Sequence, residues 1–256
     1  MQTNAAKRQM LEGEPAIGAA ASLGSPLSAE ILSLAGYDFV LVDNQHGSWS
    51  FDSSTLAFHS IGLGDAVPMA RVQQNDFFAI GGLLDRGAVG LVVPMVHTRQ
   101  HAQQAVFAAR FPPLGGRSQG PFGVGFLRRS DYVEWIEKEL FLAVQIESQE
   151  AVDNAEDILS VEGIDGCWIG PADLANSMRV DRSTPSGRQK HEKAIMRVLE
   201  ACHKVGKIPG IAGGVEARRW LEKGFLFVTT VGDANFVAQG GEAELEDLRK
   251  LVSQLR

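Results

Sequence analysis

The sequence predicts an α/β protein built as a (β/α)₈ barrel. Three observations carry that expectation. Eight short apolar runs recur along the 256 residues, turns follow them, and stretches of helical periodicity separate most of them. The runs are continuous rather than alternating in polarity, as expected of strands covered on both faces in a parallel sheet. Eight such units in about 250 residues match the size of this barrel.

In chain order the strand candidates are "AIGAAAS" (16–22), "FVLVD" (39–43), "VPMAR" (67–71), "VGLVVPM" (89–95), "FLAVQIE" (141–147), "GCWIG" (166–170), "IPGIAG" (208–213) and "FLFVTTV" (225–231). Helical patterns fall between them in "SAEILSLAG", "FFAIGGLLDRG", "TRQHAQQAVFAARF", "SQEAVDNAEDILSV", "RQKHEKAIMRVLEACHKVG" and "VEARRWLEKG". Several close on the glycine expected just past a helix end. Residues 111–130 form a Gly/Pro-rich connection too long for routine joinery, and loops of that length are usually functional or contact-making. The tail predicts an amphipathic helix whose Leu245, Leu248, Leu251, Val252 and Leu255 need a surface to cover. No Pro/Ser linker interrupts the chain, so residues 1–256 are expected to form one domain. A doubly wound open sheet is the alternative fold, but no Gly-rich turn follows the first strand to support its dinucleotide-binding form.

Composition excludes several functions. A formal net charge of −7 and a pI near 5.4 argue against a nucleic-acid partner, which requires concentrated Lys and Arg. No apolar run approaches the roughly 18–20 residues that span a bilayer, and the N-terminus makes a poor signal peptide. The two cysteines, Cys167 and Cys202, are too few for a disulfide framework or a thiolate metal cluster, and a reducing cytoplasm is the expected home.

A barrel builds its active site at the C-terminal ends of its strands, so polar residues that stop apolar runs are the candidates. Asp43 ends the second strand and His46 follows in the loop; Arg71 ends the third; Gln145 and Glu147 end the fifth; Asp173 follows the sixth in "IGPADLAN". Singly, each has an ordinary reading, such as a helix cap or a solvated arginine. Their common placement points to chemistry. A carboxylate such as Glu147 at the end of an apolar run calls for a cationic companion. Two carboxylates with coordination positions to spare suit Mg²⁺, Mn²⁺ or a similar divalent ion. No lysine ends a predicted strand, which disfavours a Schiff-base mechanism. His97 and His101 have helical metal-pair spacing without an acid between them. "GPFGVG" (120–125) only loosely resembles a nucleotide loop. "GIAGGVE" and "VGDAN" follow the last two strands, where many barrels bind phosphate, and leave a phosphorylated substrate open.

The segments "GYDFVLVDNQHG", "VPMARV", "LLDRGAVGLVVPMV", "RFPPLGGRS", "VQIESQEAVDN", "VEGIDGCWIGPADLA" and "GKIPGIAG" resemble the HpcH/HpaI class II pyruvate aldolases over residues 15 to about 235. The resemblance implies a (β/α)₈ barrel and a divalent metal, Mg²⁺, Mn²⁺ or Co²⁺ with Zn²⁺ also compatible, held at Glu147 and Asp173. It implies a base at His46 supported by Asp43, with Asp43 fixing its tautomer, and an enolate-stabilising Arg71. Gln145 is placed beside metal or substrate, and the main chain of Gly170, Pro171 and Ala172 beside the substrate carboxylate. Asp85 is placed where subunits meet, and the tail helix across a subunit interface in a hexamer, a trimer of dimers. The implied substrates are 4-hydroxy-2-oxo acids, made from or cleaved to an aldehyde and the enolate of pyruvate or hydroxypyruvate. The alternatives are a related enolate lyase, either a 3-oxo acid decarboxylase or a thioester lyase like the citrate lyase β subunit, and a non-catalytic barrel that binds a small acid. Asn44 and Gln45 stand where family members commonly carry Gly-Glu before the histidine.

Overall fold

The computed structural model describes residues 3–120 and 131–255. Eight parallel strands close into a barrel in sequence order: β1 (Ala16–Ala21), β2 (Phe39–Asp43), β3 (Val67–Arg71), β4 (Gly90–Val93), β5 (Phe141–Ile146), β6 (Gly166–Ile169), β7 (Gly210–Ala212) and β8 (Phe227–Thr229). The eight apolar runs thus become the eight strands, each trimmed by at most a few residues. Among the described residues no helix is long and apolar enough to cross a membrane.

Both faces of every strand are covered, which is why the runs read as continuous. Inside the barrel lie Phe39, Leu41, Met69, Val92, Phe141, Ala143, Trp168, Ile208 and Phe227. Phe227 packs on Phe39 and Phe141 at ring separations of 4.6 and 4.9 Å. Gly18 makes room for this layer, since a Cβ there would sit 2.2 Å from the Phe39 ring. The outward positions, such as Val40, Val42, Leu91, Leu142 and Val144, pack against the helices.

The helices are α1 (Ala5–Leu11), α2 (Pro26–Leu34), α3 (Phe51–Ile61), α4 (Phe77–Asp85), α5 (Arg99–Ala109), α6 (Tyr132–Glu139), α7 (Gln149–Asp153), α8 (Ala155–Leu159), α9 (Pro171–Ser177), α10 (Pro185–Val205), α11 (Ala217–Glu222) and α12 (Asp233–Gln254). α1, which has no strong sequence signal, plugs the lower end of the barrel with Ala6 and Met10. Asn4 ties it to α6 by donating its amide to Glu139 Oε2 at 2.6 Å. The single helix expected over "SQEAVDNAEDILSV" is broken into α7 and α8 at Asn154, whose side chain donates instead to the His97 carbonyl at 2.9 Å. His97 and His101 do not share a helix face, because α5 begins at Arg99; the His97 amide donates to His101 Nδ1 at 3.2 Å. Apart from Gly120, "GPFGVG" lies outside the described residues. Cys167 on β6 and Cys202 on α10 meet in the core with their sulfurs 3.4 Å apart, both as free thiols.

Candidate active site

The register of the barrel delivers the sequence candidates to one rim. Asp43 and Arg71 are register partners at the ends of β2 and β3, and Gln145 and Trp168 are partners on β5 and β6. Arg71 grips Asp43 with two donors, Nε to Oδ1 at 2.9 Å and Nη2 to Oδ2. Such two-point pairing is the strong form of a guanidinium–carboxylate contact. The guanidinium also lies over the Trp168 indole, 5.2 Å from its centroid. Trp168 is only 5% exposed and bridges the barrel interior and the site. It is the main contributor that sequence reading missed, because an aromatic residue inside an apolar run reads as core.

Asp43 also organises the loop that follows. Its Oδ1 accepts the backbone N–H groups of Gln45 and His46 at 3.1 and 3.2 Å, and its carbonyl accepts that of Gly47 at 2.9 Å. Gly47 is required there, since a Cβ would come within 2.4 Å of that carbonyl. This tight turn holds His46 at its exposed tip. One expectation is corrected here. Among the described residues Asp43 makes no hydrogen bond to the His46 imidazole; its carboxylate holds Arg71 and the two loop amides instead. Asn44 is buried and accepts from Ser54 Oγ at 2.8 Å, which fastens the loop to α3.

Across the same rim Glu147 follows β5 and is 5% exposed. Its Oε1 accepts the Met95 amide at 2.8 Å and its Oε2 accepts Gln145 Nε2 at 2.5 Å. Met95 presents that amide from a left-handed backbone, φ 59°, a conformation that a non-glycine residue holds only where the surroundings impose it. Burial pushes the Glu147 carboxyl above the ordinary glutamate range. The Met95 amide opposes that rise, Asp173 adds to it, and Arg71 and Gln145 offset it in part. Asp173 stands exposed in the first turn of α9, after Gly170 at the cap and Pro171 at the first helical position. A Cβ on Gly170 would lie 2.9 Å from Gln145 Nε2 and 3.4 Å from Glu147 Oε2, so a side chain there would push the Gln145 amide aside.

The donors of this corner fit a hard divalent cation. Two carboxylates lie close enough for Asp173 to disfavour the charged form of Glu147, and Gln145 Oε1 is buried without a hydrogen-bond partner among the described residues. All of these donors are oxygens, the set that Mg²⁺ or Mn²⁺ prefers while keeping several positions for water or substrate. Among the described residues no cluster of three His, Cys, Asp or Glu side chains forms a closed metal cage.

Asp85 does not join this constellation. It pairs with Arg117 at 2.7 Å, and that guanidinium is buried against Phe111 and Tyr132. The phosphate reading of "VGDAN" also meets a correction. Asp233 accepts from Ser22 N and Oγ, Leu23 N and Ser28 Oγ at 2.7–3.2 Å, so a fixed carboxylate already takes the donors that a phosphate would need. Burial opposes its charge, yet these bonds together hold it below the ordinary aspartate range. An apolar cavity of about 430 Å³ at the other end of the barrel, against Phe58, Val67, Tyr132 and Trp135, is lined by no carboxylate and does not compete as the reactive site.

The model of the HpcH/HpaI aldolase/citrate lyase family matches residues 20–235. A 4-hydroxy-2-oxo-heptane-1,7-dioate aldolase of Shigella sonnei is 37% identical over 247 residues, which cover 94% of this chain and 93% of the relative. A crystal structure of an HpcH/HpaI aldolase/citrate lyase family protein from Burkholderia cenocepacia superposes with a TM-score of 0.89 at 31% identity, covering 96% of this chain and all of the other. More distantly, the citrate lyase β subunit of M. tuberculosis, solved with oxaloacetate and magnesium, shares the fold at a TM-score of 0.57 and 13% identity, over 88% of this chain and 94% of the other.

Proposed function

Because the chain belongs to the HpcH/HpaI aldolase/citrate lyase family, which makes it a carbon–carbon lyase, we propose that it cleaves and forms 4-hydroxy-2-oxo acids with a divalent cation at Glu147 and Asp173. The observation that supports this most is the corner where buried Glu147, Asp173 and the unpartnered Gln145 oxygen face the Arg71 guanidinium. When bound, the cation acts as a Lewis acid on the 2-oxo group.

The chain's own residues supply the rest. Arg71 spends Nε and Nη2 on Asp43 and keeps Nη1 for the oxygen on which enolate charge develops. A donor fixed in advance by an ion pair and an indole face needs little reorganisation as that charge appears. The main chain around Gly170, Pro171 and Ala172 receives the substrate carboxylate at the first turn of α9, where the Ala172 N–H has no intrahelical acceptor; the Gly170 N–H is already bonded to the Ile146 carbonyl and Pro171 has none. His46, at the tip of the Asp43 turn with no hydrogen bond on its imidazole among the described residues, takes the proton from the C4 hydroxyl as the C3–C4 bond breaks. In the synthetic direction it returns the proton to the new alkoxide.

The test is a panel of aldehydes incubated with pyruvate or hydroxypyruvate and Mg²⁺, Mn²⁺ or Co²⁺, with adducts identified by mass. The expected result is cation-dependent adduct formation that chelation abolishes reversibly, with no covalent product trapped by borohydride and pyruvate. Full activity after exhaustive chelation overturns the reading. Release of CO₂ or free CoA without any aldehyde reassigns the chain to the decarboxylase or thioester-lyase alternative.

The same reading extends to assembly. Leu245, Leu248, Leu251 and Val252 on α12 and Leu255 at its C-cap are 47–77% exposed, a face that a second subunit would cover in a hexamer. Light scattering at micromolar concentration is expected to show a multiple of the chain mass, and a monomer overturns this assignment.

A further inference from the structure

We propose that His191, on the outer helix α10, is a positioning residue for the turn that carries Asp173. This inference rests on the cation role proposed above for Asp173. The buried face of α10 is apolar where it packs on the barrel, with Ala194, Ile195, Val198, Leu199 and Cys202. One turn earlier the same face presents an imidazole that is 7% exposed. A polar ring on a buried helix face is costly unless it is hydrogen-bonded, and this one reaches a single acceptor among the described residues. His191 Nε2 lies 2.8 Å from the carbonyl oxygen of Pro171. A carbonyl can only accept, so Nε2 carries the proton and the tautomer is fixed.

Pro171 is the first residue of α9, two positions before Asp173. α9 has only seven residues, and Leu174 and Ala175 are its buried anchors. From the barrel side its start is held by Gly170 N donating to the Ile146 carbonyl at 3.2 Å. Proline has no N–H, so the carbonyl is the only backbone polar group through which Pro171 can be fastened from outside. His191 provides that second attachment. The turn is therefore clamped between β5 and α10, and the separation of Asp173 from Glu147 is set by both. Groups that orient a metal ligand typically change metal affinity or activity by 10- to 100-fold when removed.

The experiment compares wild type with His191→Ala, His191→Gln and His191→Phe. Free Mn²⁺ is titrated by electron paramagnetic resonance with and without pyruvate, kcat and KM are measured separately, and melting is followed in chelator. His191→Ala is expected to weaken Mn²⁺ binding and raise the pyruvate KM by about tenfold, with a smaller change in kcat. His191→Gln, whose amide can donate to the same carbonyl, is expected to recover most of the loss; His191→Phe, which fills the space without a donor, is not. Equal Mn²⁺ affinity in the Gln and Phe variants overturns the inference even if the Ala variant fails to fold. A His191→Ala protein that melts earlier but binds Mn²⁺ like wild type overturns it too, and leaves the cation site standing. Wild type that binds no Mn²⁺ removes the cation role itself, and this inference with it.

Discussion

The side of the rim formed by β2 and β3 and the side formed by β5 and β6 solve the problem of buried charge in opposite ways. Asp43 and Arg71 neutralise each other, share two hydrogen bonds and rest on an indole. Glu147 is equally buried, has only neutral donors bonded to it among the described residues, and faces a second carboxylate. The first side is electrostatically complete. The second carries negative charge held against its own preference, so it gains from a cation. In this site one half prepays organisation and the other half stores affinity.

The largest effect should come from the strained half. Glu147→Gln keeps the volume and removes the charge; turnover should fall by more than the about 100-fold of an outer-shell change, with the fold intact by circular dichroism. Retained turnover would show that the charge on this rim is incidental. Next, His46→Ala should depress aldol cleavage by about 10²- to 10⁴-fold. Oxaloacetate decarboxylation, which yields the same enolate without a hydroxyl to deprotonate, should change far less. Equal loss of both, with cation and pyruvate still bound, would remove His46 as the base.

Breaking the complete half should weaken both reactions and the fold together. Arg71→Ala leaves the Asp43 carboxylate buried and unpaired, a change that typically costs about 3 kcal/mol of stability. Urea unfolding measures that cost, and an unchanged midpoint would mean the pair is only decorative. Asp43→Asn should act as a milder version of Arg71→Ala and not of His46→Ala, because the carboxylate grips the guanidinium and the loop amides and not the imidazole.

The smallest effect is a pH dependence. The folded-state pKa of Glu147 is raised, so the folded chain keeps a proton over a window in which the unfolded chain has released it. Stability in chelator should therefore fall as pH rises from the ordinary glutamate range through the raised value. Asp233, with a lowered folded value, contributes stability that is present above the ordinary aspartate range and lost as pH falls below it. Melts of wild type and Glu147→Gln should diverge only across the first window, and parallel curves would contradict the assignment.

These contrasts also show what a sequence discloses. All eight strands are legible because a doubly covered strand writes its burial into every residue. The rim positions are legible because a charge at the end of such a run is conspicuous. α3 and α9 are not, since "FDSSTLAFHSI" mixes polar and apolar residues weakly and seven residues hold barely two turns. Partnership is harder still to read. That Asp43 belongs to Arg71 depends on the register of two strands 28 residues apart, and that His191 belongs to Pro171 depends on how an outer helix lies over a loop.

The Asp43–Arg71 pair has a consequence for how the chain finds its fold. In a parallel ladder a slip of one residue sends every side chain to the opposite face. Between β2 and β3, Phe39 opposes Val67 at one end and Asp43 opposes Arg71 at the other. A slipped pairing would part the two charges and drive one of them among the helices, where nothing answers it. The groups proposed to receive the enolate thus also proofread the alignment of the strands that carry them.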